Sequence, residues 1–337
     1  MPLAQFSCRD FRCLSAVEFE PHPAFTLVSG PNASGKTSLL EAIAYLGRGR
    51  SFRGAATRDL IRHGSKELLL RGTASFGGRA RRIGVSNGPD GLQQSIDGER
   101  GGGLAALAEV LPLQVIDPEI HELVGGSPEG RRRFIDWMTF HVEHGYLGIW
   151  RRYRRALKQR NALLKSGVQA LDSWDEELAL AGVEVNDARQ RILETAIPGV
   201  QAAASELLQA EVSFTFQRGW PADTALRAAL GDSRRRDLQL GSTQPGPHRA
   251  DLKLRVDERL ARRLVSRGQQ KLLACSMVLG SVAVVAAAVG RVPLPLLDDP
   301  AAELDSNSLA RLMQAVAALQ GQVIATALTA DAVPIPA

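Results

Sequence analysis

Short apolar runs between polar breaks dominate both ends of the chain, and an apolar period of three to four residues dominates its middle. Near the start, Leu3-Ala4-Gln5-Phe6, Ala16-Val17-Glu18-Phe19 and residues 25–28 read as three strands, with Phe11-Arg12 in the turn between the first two. Residues 36–46 read as a helix. Residues 68–76, 81–86 and 93–96 read as hairpin strands separated by glycine-rich turns at Gly77-Gly78, 88–91 and 101–103. A further strand over 113–116 leads into Asp117-Pro118-Glu119. From Pro128 the period becomes helical, predicting helices over 128–137, 146–164, 174–195 and 199–208 that pack through residues such as Leu157, Leu163 and Leu164. Strand 212–216, helix 224–240 and strand 251–256 follow. The chain then gives an apolar helix over 272–289, a strand ending at Leu297, a helix over 308–319 and a strand over 322–326. The pattern is α/β, with a discontinuous lobe I (1–125 and 245–337) and an inserted, mainly helical lobe II (126–244).

Composition narrows the class. The chain has 337 residues, 45% of them apolar, which is enough for a large core. No apolar run reaches membrane-span length, the nearest being 277–289, and no signal peptide is visible, so a cytoplasmic, nucleoid-associated protein with no membrane partner is expected. The three cysteines, Cys8, Cys13 and Cys275, have neither metal-ligand spacing nor an even disulfide framework, and read as free thiols. The net charge of +5 gains meaning from its distribution. Arg131, Arg132 and Arg133 form one cluster. Arg151, Arg152, Arg154, Arg155, Lys158 and Arg160 form a second, in which Arg151, Arg155 and Lys158, and likewise Arg152 and Arg155, recur at helical spacing, as a phosphate-binding stripe or a solvated face paired to acids such as Glu176 and Glu177 would.

Three motifs carry chemistry. Gly30-Pro31-Asn32-Ala33-Ser34-Gly35-Lys36-Thr37 is G-x-x-x-x-G-K-[ST] between a strand and a helix, the pattern whose backbone N–H groups cradle phosphates. Lys36 would reach the β/γ-phosphates and Thr37 would bind Mg²⁺. Ser266-Arg267-Gly268-Gln269 precedes a helix, where it reads either as a second anion site or as an ordinary N-cap. Leu294-Pro295-Leu296-Leu297-Asp298-Asp299 is an apolar strand ending in two acids, one suited to a metal and the other to orienting a water. Pro293 and Pro295 crowd its start, so the strand is expected to begin no earlier than Pro295. Ala302-Glu303-Leu304-Asp305 follows at short range.

In this order the motifs resemble the P-loop, signature, Walker B and D-loop of ABC-type ATPases. The long separation of Lys36 from Gly268 disfavours transporter subunits, and the insert is too short for a chromosome-structuring coiled coil. The chain most resembles the RecF family, SMC-like ABC ATPases. The residues that carry the likeness include Leu39-Leu40-Glu41-Ala42-Ile43, Gly49-Arg50-Ser51-Phe52-Arg53, Lys158-Gln159-Arg160-Asn161, Gly246-Pro247-His248 and 266–271. The resemblance implies an ABC-type head with ATP and Mg²⁺ as cofactors. Asp298 would join Thr37 at the metal, Asp299 would be the catalytic base, and Gln114 would be the Q-loop glutamine at metal or water. Arg12 is a further phosphate candidate. The resemblance also implies an ATP-dependent homodimer in which Ser266, Gly268 and Gln269 complete the partner's site. It implies weak, DNA-stimulated ATP hydrolysis, binding to duplex and gapped-junction DNA with little sequence preference, and RecR and RecO as partners in promoting RecA loading during repair and replication. Ala33 departs from the family's glycine. Two alternatives stay open, a transporter ATPase subunit, which would bind no DNA, and a non-hydrolysing ATP-gated DNA clamp.

Overall fold

The computed structural model describes residues 3–76, 79–167 and 171–334. The Gly77-Gly78 turn lies outside them. The chain divides into two compact units, one running to Ile120 and resuming at Cys275, the other spanning His121–Ala274. The sequence reading returns to lobe I at residue 245. In the structure the second unit retains the strands and short helix that follow, up to residue 274.

In the first unit, β1 (Leu3–Phe11) and β2 (Leu14–Phe19) form a hairpin, and β3 (Phe25–Ser29) leads into α1 (Lys36–Arg48). Then come β4 (Leu68–Phe76), β5 (Arg79–Gly88), β6 (Gly91–Ile96), β7 (Glu99–Arg100), α2 (Gly103–Val110) and β8 (Leu113–Ile116). One sheet is antiparallel, in the order β2-β1-β4-β5-β6-β7. Helix α1 is buried on nearly every side from Ser38 to Gly47. Its Leu40, Ile43 and Leu46 share one core with Phe6, Phe11, Leu68 and Leu70 of the antiparallel sheet and with Leu113, Leu294 and Ile324. Gly72 permits this approach, because a Cβ there would meet Leu46 at 2.6 Å.

The second unit contains α3 (Glu122–Gly125), α4 (Pro128–Val142), α5 (Tyr146–Lys165), α6 (Asp172–Leu208), β9 (Val212–Gln217), α7 (Leu226–Leu240), β10 (Asp251–Val256), β11 (Arg259–Leu260) and α8 (Ala261–Leu264). Tyr153 and Ala156 of α5, Leu178 and Val185 of α6 and Leu230 of α7 form its helical core. Helix α6 corrects the sequence reading. It is one 37-residue helix running through Pro198, not two. Proline forfeits one backbone bond. Here it sits on the exposed face, while Ile192, Ala196, Val200 and Ala204 keep the buried stripe in phase across it.

Helix α9 (Arg267–Val289) begins in the second unit and ends in the first. It reaches back five residues beyond the predicted apolar run. Among the described helices it alone is long and apolar enough to cross a membrane, and 61% of its most apolar window is buried inside the protein. The chain closes with β12 (Leu294–Asp298), α10 (Ser306–Ala318) and β13 (Val323–Ala327). These complete a parallel sheet in the order β3-β13-β12-β8. Strand β12 starts one residue earlier than expected, at Leu294. Leu294 donates to the Pro112 carbonyl on the β8 side. Neighbouring residues of a strand donate to opposite sides, so Pro295 lacks its N–H toward β13, where pairing begins only at Leu296.

Candidate functional site

The P-loop sits where β3 ends and α1 begins, at the carboxyl edge of the parallel sheet, where such sheets bind ligands. Gly35 caps α1 with φ 94°, and no side chain caps the helix start, so its first N–H groups are open to an anion. Ala33 has φ 64°, the left-handed region, at the position where the family has glycine. That costs about 1 kcal/mol relative to glycine, so the loop keeps its shape at the expense of local strain. Lys36 Nζ donates to the carbonyls of Gly30 (2.6 Å) and Pro31 (2.8 Å), across the mouth of the loop. Pro31, Asn32, Ala33 and Ser34 are exposed.

The two acids lie across the same edge. Thr37 Oγ1 donates to Asp298 Oδ1 at 3.0 Å. Thr326, at the end of the intervening strand β13, donates to the same oxygen at 2.7 Å. The Thr326 hydroxyl also accepts from the Asp299 N–H at 3.1 Å. This bond braces a turn in which Asp299 takes φ 47°, a strained conformation of the kind concentrated at functional sites. A hydroxyl and a carboxylate set together are hard oxygen donors, which fit Mg²⁺.

Strand β8 alters one expectation. Gln114 pairs with Pro295 in mid-strand, and its Oε1 accepts from Arg48 at 3.1 Å. It stops short of the sheet edge, so the structure does not put it at the metal position. The residue that reaches the edge is Asp117, because Ile116 pairs with Leu297. Burial, and then the charge of Asp298, push the Asp117 carboxyl up to about 6. Burial, and then the charge of Arg50, bring the Arg48 guanidinium down to about 10. Sequence reasoning passed over Asp117 and Thr326 because no motif marks either; only strand order and register bring them to the acids.

Arg12 is also committed elsewhere. Its guanidinium forks onto fully buried Glu41, with Nη2 2.8 Å from Oε1 and Nε on Oε2. Ser51 donates to the same carboxylate at 2.5 Å. Arg12 therefore joins the hairpin turn to α1 rather than pointing a free charge at the P-loop.

Ser266 and Gln269 are exposed at the start of α9. The Gln269 N–H donates to Ser266 Oγ (3.3 Å), and the Ser266 N–H donates to Gln269 Oε1 (3.1 Å). This is a capping box, the ordinary N-cap of the two sequence readings. Gly268, between them, is half-buried.

The basic residues divide sharply. Arg131 is 3% exposed, forks onto Asp251 and donates to the carbonyls of Leu123, Val124 and Gly126. It is a structural tie, which removes it from the surface contacts expected for DNA. Arg133 pairs with Glu129, and Arg152 with Glu177 and Glu184. Arg151, Arg155 and Lys158 are exposed along α5, and among the described residues no carboxylate pairs with them. Arg132 is half-buried and donates to the Ala250 carbonyl at 2.8 Å.

A P-loop and an acid-tipped strand flanking a third strand in a parallel sheet, interrupted in sequence by a largely helical unit, define an ABC-type P-loop ATPase head. The family model for the RecF/RecN/SMC N-terminal domain matches residues 2–334. The chain belongs to that family, and within it to the RecF group. The DNA replication and repair protein RecF of Vibrio atlanticus is 38% identical over 336 residues, covering 98% of this chain and 94% of that protein. A solved structure of the recombination mediator protein RecF-ATPrS in the RecFOR pathway matches with a TM-score of 0.88 at 25% identity, covering 99% of this chain and 95% of that one. A second, of RecF-ATP, matches at 0.87 and 26%, covering 98% and 93%.

Proposed function

We propose that this chain is an ATP-dependent DNA-binding protein of recombinational repair and replication. It would dimerise on ATP at gapped or junction DNA, hydrolyse ATP slowly, and act with RecR and RecO to promote RecA loading. The observation that carries the reading is the convergence of Lys36, Thr37 and Asp298 at one sheet edge, 3.0 Å separating the Thr37 and Asp298 oxygens. The relatives named above supply the pathway.

Lys36 and the open N–H groups of the loop neutralise phosphate oxygens. Thr37 and Asp298 would hold Mg²⁺, which would supply neutralisation of phosphate charge. Asp299 orients the attacking water and accepts its proton. Thr326 holds the Asp298 carboxylate and the Asp299 backbone N–H through one hydroxyl. Ser266, Gly268 and Gln269 face outward at a helix start, and in the dimer they close over the partner's γ-phosphate. ATP that touches both protomers shifts the monomer–dimer equilibrium by mass action.

Sedimentation velocity with ATP, with and without gapped DNA, tests the reading on wild type and Asp299→Asn. Wild type should dimerise with ATP and dissociate as phosphate is released. Asp299→Asn should stay dimeric, with phosphate release lowered by about 10²–10⁴-fold, the share of a general base. A wild type that stays monomeric in saturating ATP and ignores DNA would contradict it. ATP-dependent dimers that never release phosphate would instead favour a non-hydrolysing clamp.

A further inference from the structure

The ATP site leaves Gly246-Pro247-His248 and the Arg160-Asn161 pair of α5 unexplained, and the structure joins them. Asn161 Oδ1 accepts from the N–H (2.8 Å) and hydroxyl (2.7 Å) of Thr243, and buried Arg160 donates to that hydroxyl at 2.8 Å. The Thr243 carbonyl accepts from His248 Nε2 at 2.9 Å, and His248 Nδ1 accepts from the Tyr153 hydroxyl at 2.6 Å. Both ring nitrogens are thus used by a neutral imidazole. Gly246 has φ 137°, and a Cβ there would lie 2.8 Å from the Tyr153 hydroxyl. Arg189 pins the Pro247 carbonyl at 2.7 Å. The turn Pro247–Arg249 is therefore held by three groups, Tyr153, Thr243 and Arg189.

Around this turn the acids are already taken. Asp136 accepts from Arg189 at 2.7 and 3.0 Å and from Tyr146. Asp251 holds Arg131, and Glu129 holds Arg133. Arg132 of α4, Arg154 of α5 and Arg249 of the turn remain, and among the described residues no carboxylate pairs with them. Each is oriented by a neutral neighbour: Arg132 by the Ala250 carbonyl at 2.8 Å, Arg249 by Gln244 Oε1 at 3.3 Å, and Arg154 by the Trp150 ring at 5.3 Å. A guanidinium has five donors, so most stay available.

We propose that Arg132, Arg154 and Arg249, arrayed about the Tyr153–His248 pair, form a binding site for backbone phosphates of duplex DNA. The charge continues along α5 through Arg151, Arg155 and Lys158, and a row of cations suits a polymer of evenly spaced anions better than a single small one. Burial and these three arginines push His248 down to about 4, so the strut stays neutral at physiological pH. The inference rests on the DNA-binding reading above and adds the surface that makes the contact.

The test is duplex binding across a salt series for wild type, Arg154→Ala/Arg249→Ala, and an exposed first-unit control, Arg58→Ala/Arg100→Ala, which removes the same charge. Each phosphate contact contributes about 0.9 to the slope of log affinity against log salt, so the double variant should lose about 1.8. Between about 50 and 200 mM salt its affinity should fall roughly 12-fold less than that of wild type. The control should keep the wild-type slope, and all three proteins should bind ATP equally. Inorganic phosphate at matched ionic strength should not displace DNA. A double variant with the wild-type slope, or displacement by phosphate in wild type alone, would overturn the inference. Wild type that binds no duplex would instead sink the DNA-binding reading itself.

Discussion

The two halves of the proposed ATP site are built by opposite means. Thr37 and Asp298 are 261 residues apart in sequence and 3.0 Å apart in space, and Thr326 reaches Asp298 from a third strand end. Ser266 and Gln269 are three residues apart and satisfy one another. The first half is a product of sheet order, wired before any nucleotide arrives. The second is a local product of a helix start, exposed and self-capped. A long-range site fails with the fold around it. A local one keeps its shape and changes only what it can meet.

That contrast can be broken most sharply at Lys36. Replacing it with alanine should lower ATP affinity by about 100-fold, since charge-assisted bonds to phosphate are worth roughly 1.5–3 kcal/mol each. Isothermal titration calorimetry on the monomer reads this directly. An unchanged affinity would remove the P-loop from the site.

Asp117 sharpens the long-range half. Its folded pKa of about 6 lies above the ordinary 3.8, so the folded state holds the proton more tightly than the unfolded chain does. The ionised carboxyl therefore costs stability as pH rises through about 4 to 6, fully above that window and not at all below it. Asp117→Asn should raise stability by up to about 3 kcal/mol at pH 8 and leave it nearly unchanged at about pH 3. Urea unfolding at the two pH values checks this, and an equal effect at both would rule out the titration.

The local half should respond more mildly. Ser266→Ala removes one side of the capping box and should cost about 1 kcal/mol, with monomer ATP affinity unchanged. A loss of monomer ATP binding would show that the two halves act within one chain. The smallest effect is expected at Ala33. Ala33→Gly relieves left-handed strain but frees the unfolded chain, so the net gain in stability should stay below about 1 kcal/mol. A loss would mean that the Ala33 methyl makes a contact worth more than the strain.

Local signals are the legible part of this sequence. The P-loop, the strand Asp251–Val256 and the acid-tipped strand end were legible because each is a short pattern with its own period. What required strand order was not. Gln114 looked like the metal-side residue, yet register places it opposite Pro295 and brings Asp117 to the edge. Arg12 and Arg131 look like free cations in the sequence, yet Arg12 is held by buried Glu41, 29 residues on, and Arg131 is itself buried and held by Asp251, 120 residues on. Pro198 looked like a helix break, but a buried stripe continuing on both sides carries α6 through it. Arg154 reads in the sequence as one more cation of the basic run on α5, and Arg249 as part of the family-like stretch that starts at Gly246; their lack of acidic partners becomes visible only once every nearby carboxylate has been assigned.

In the proposed dimer each ATP site takes its P-loop from one protomer and Ser266 to Gln269 from another. Mixing two inactive variants tests it most directly. Lys36→Ala should lack a working P-loop, and Ser266→Arg should lack a working signature while still binding ATP. Each alone should release no phosphate above background. A mixed dimer would contain one site with both halves intact, so the mixture should recover phosphate release and an ATP-dependent dimer. A mixture as inert as its two components would contradict the shared site.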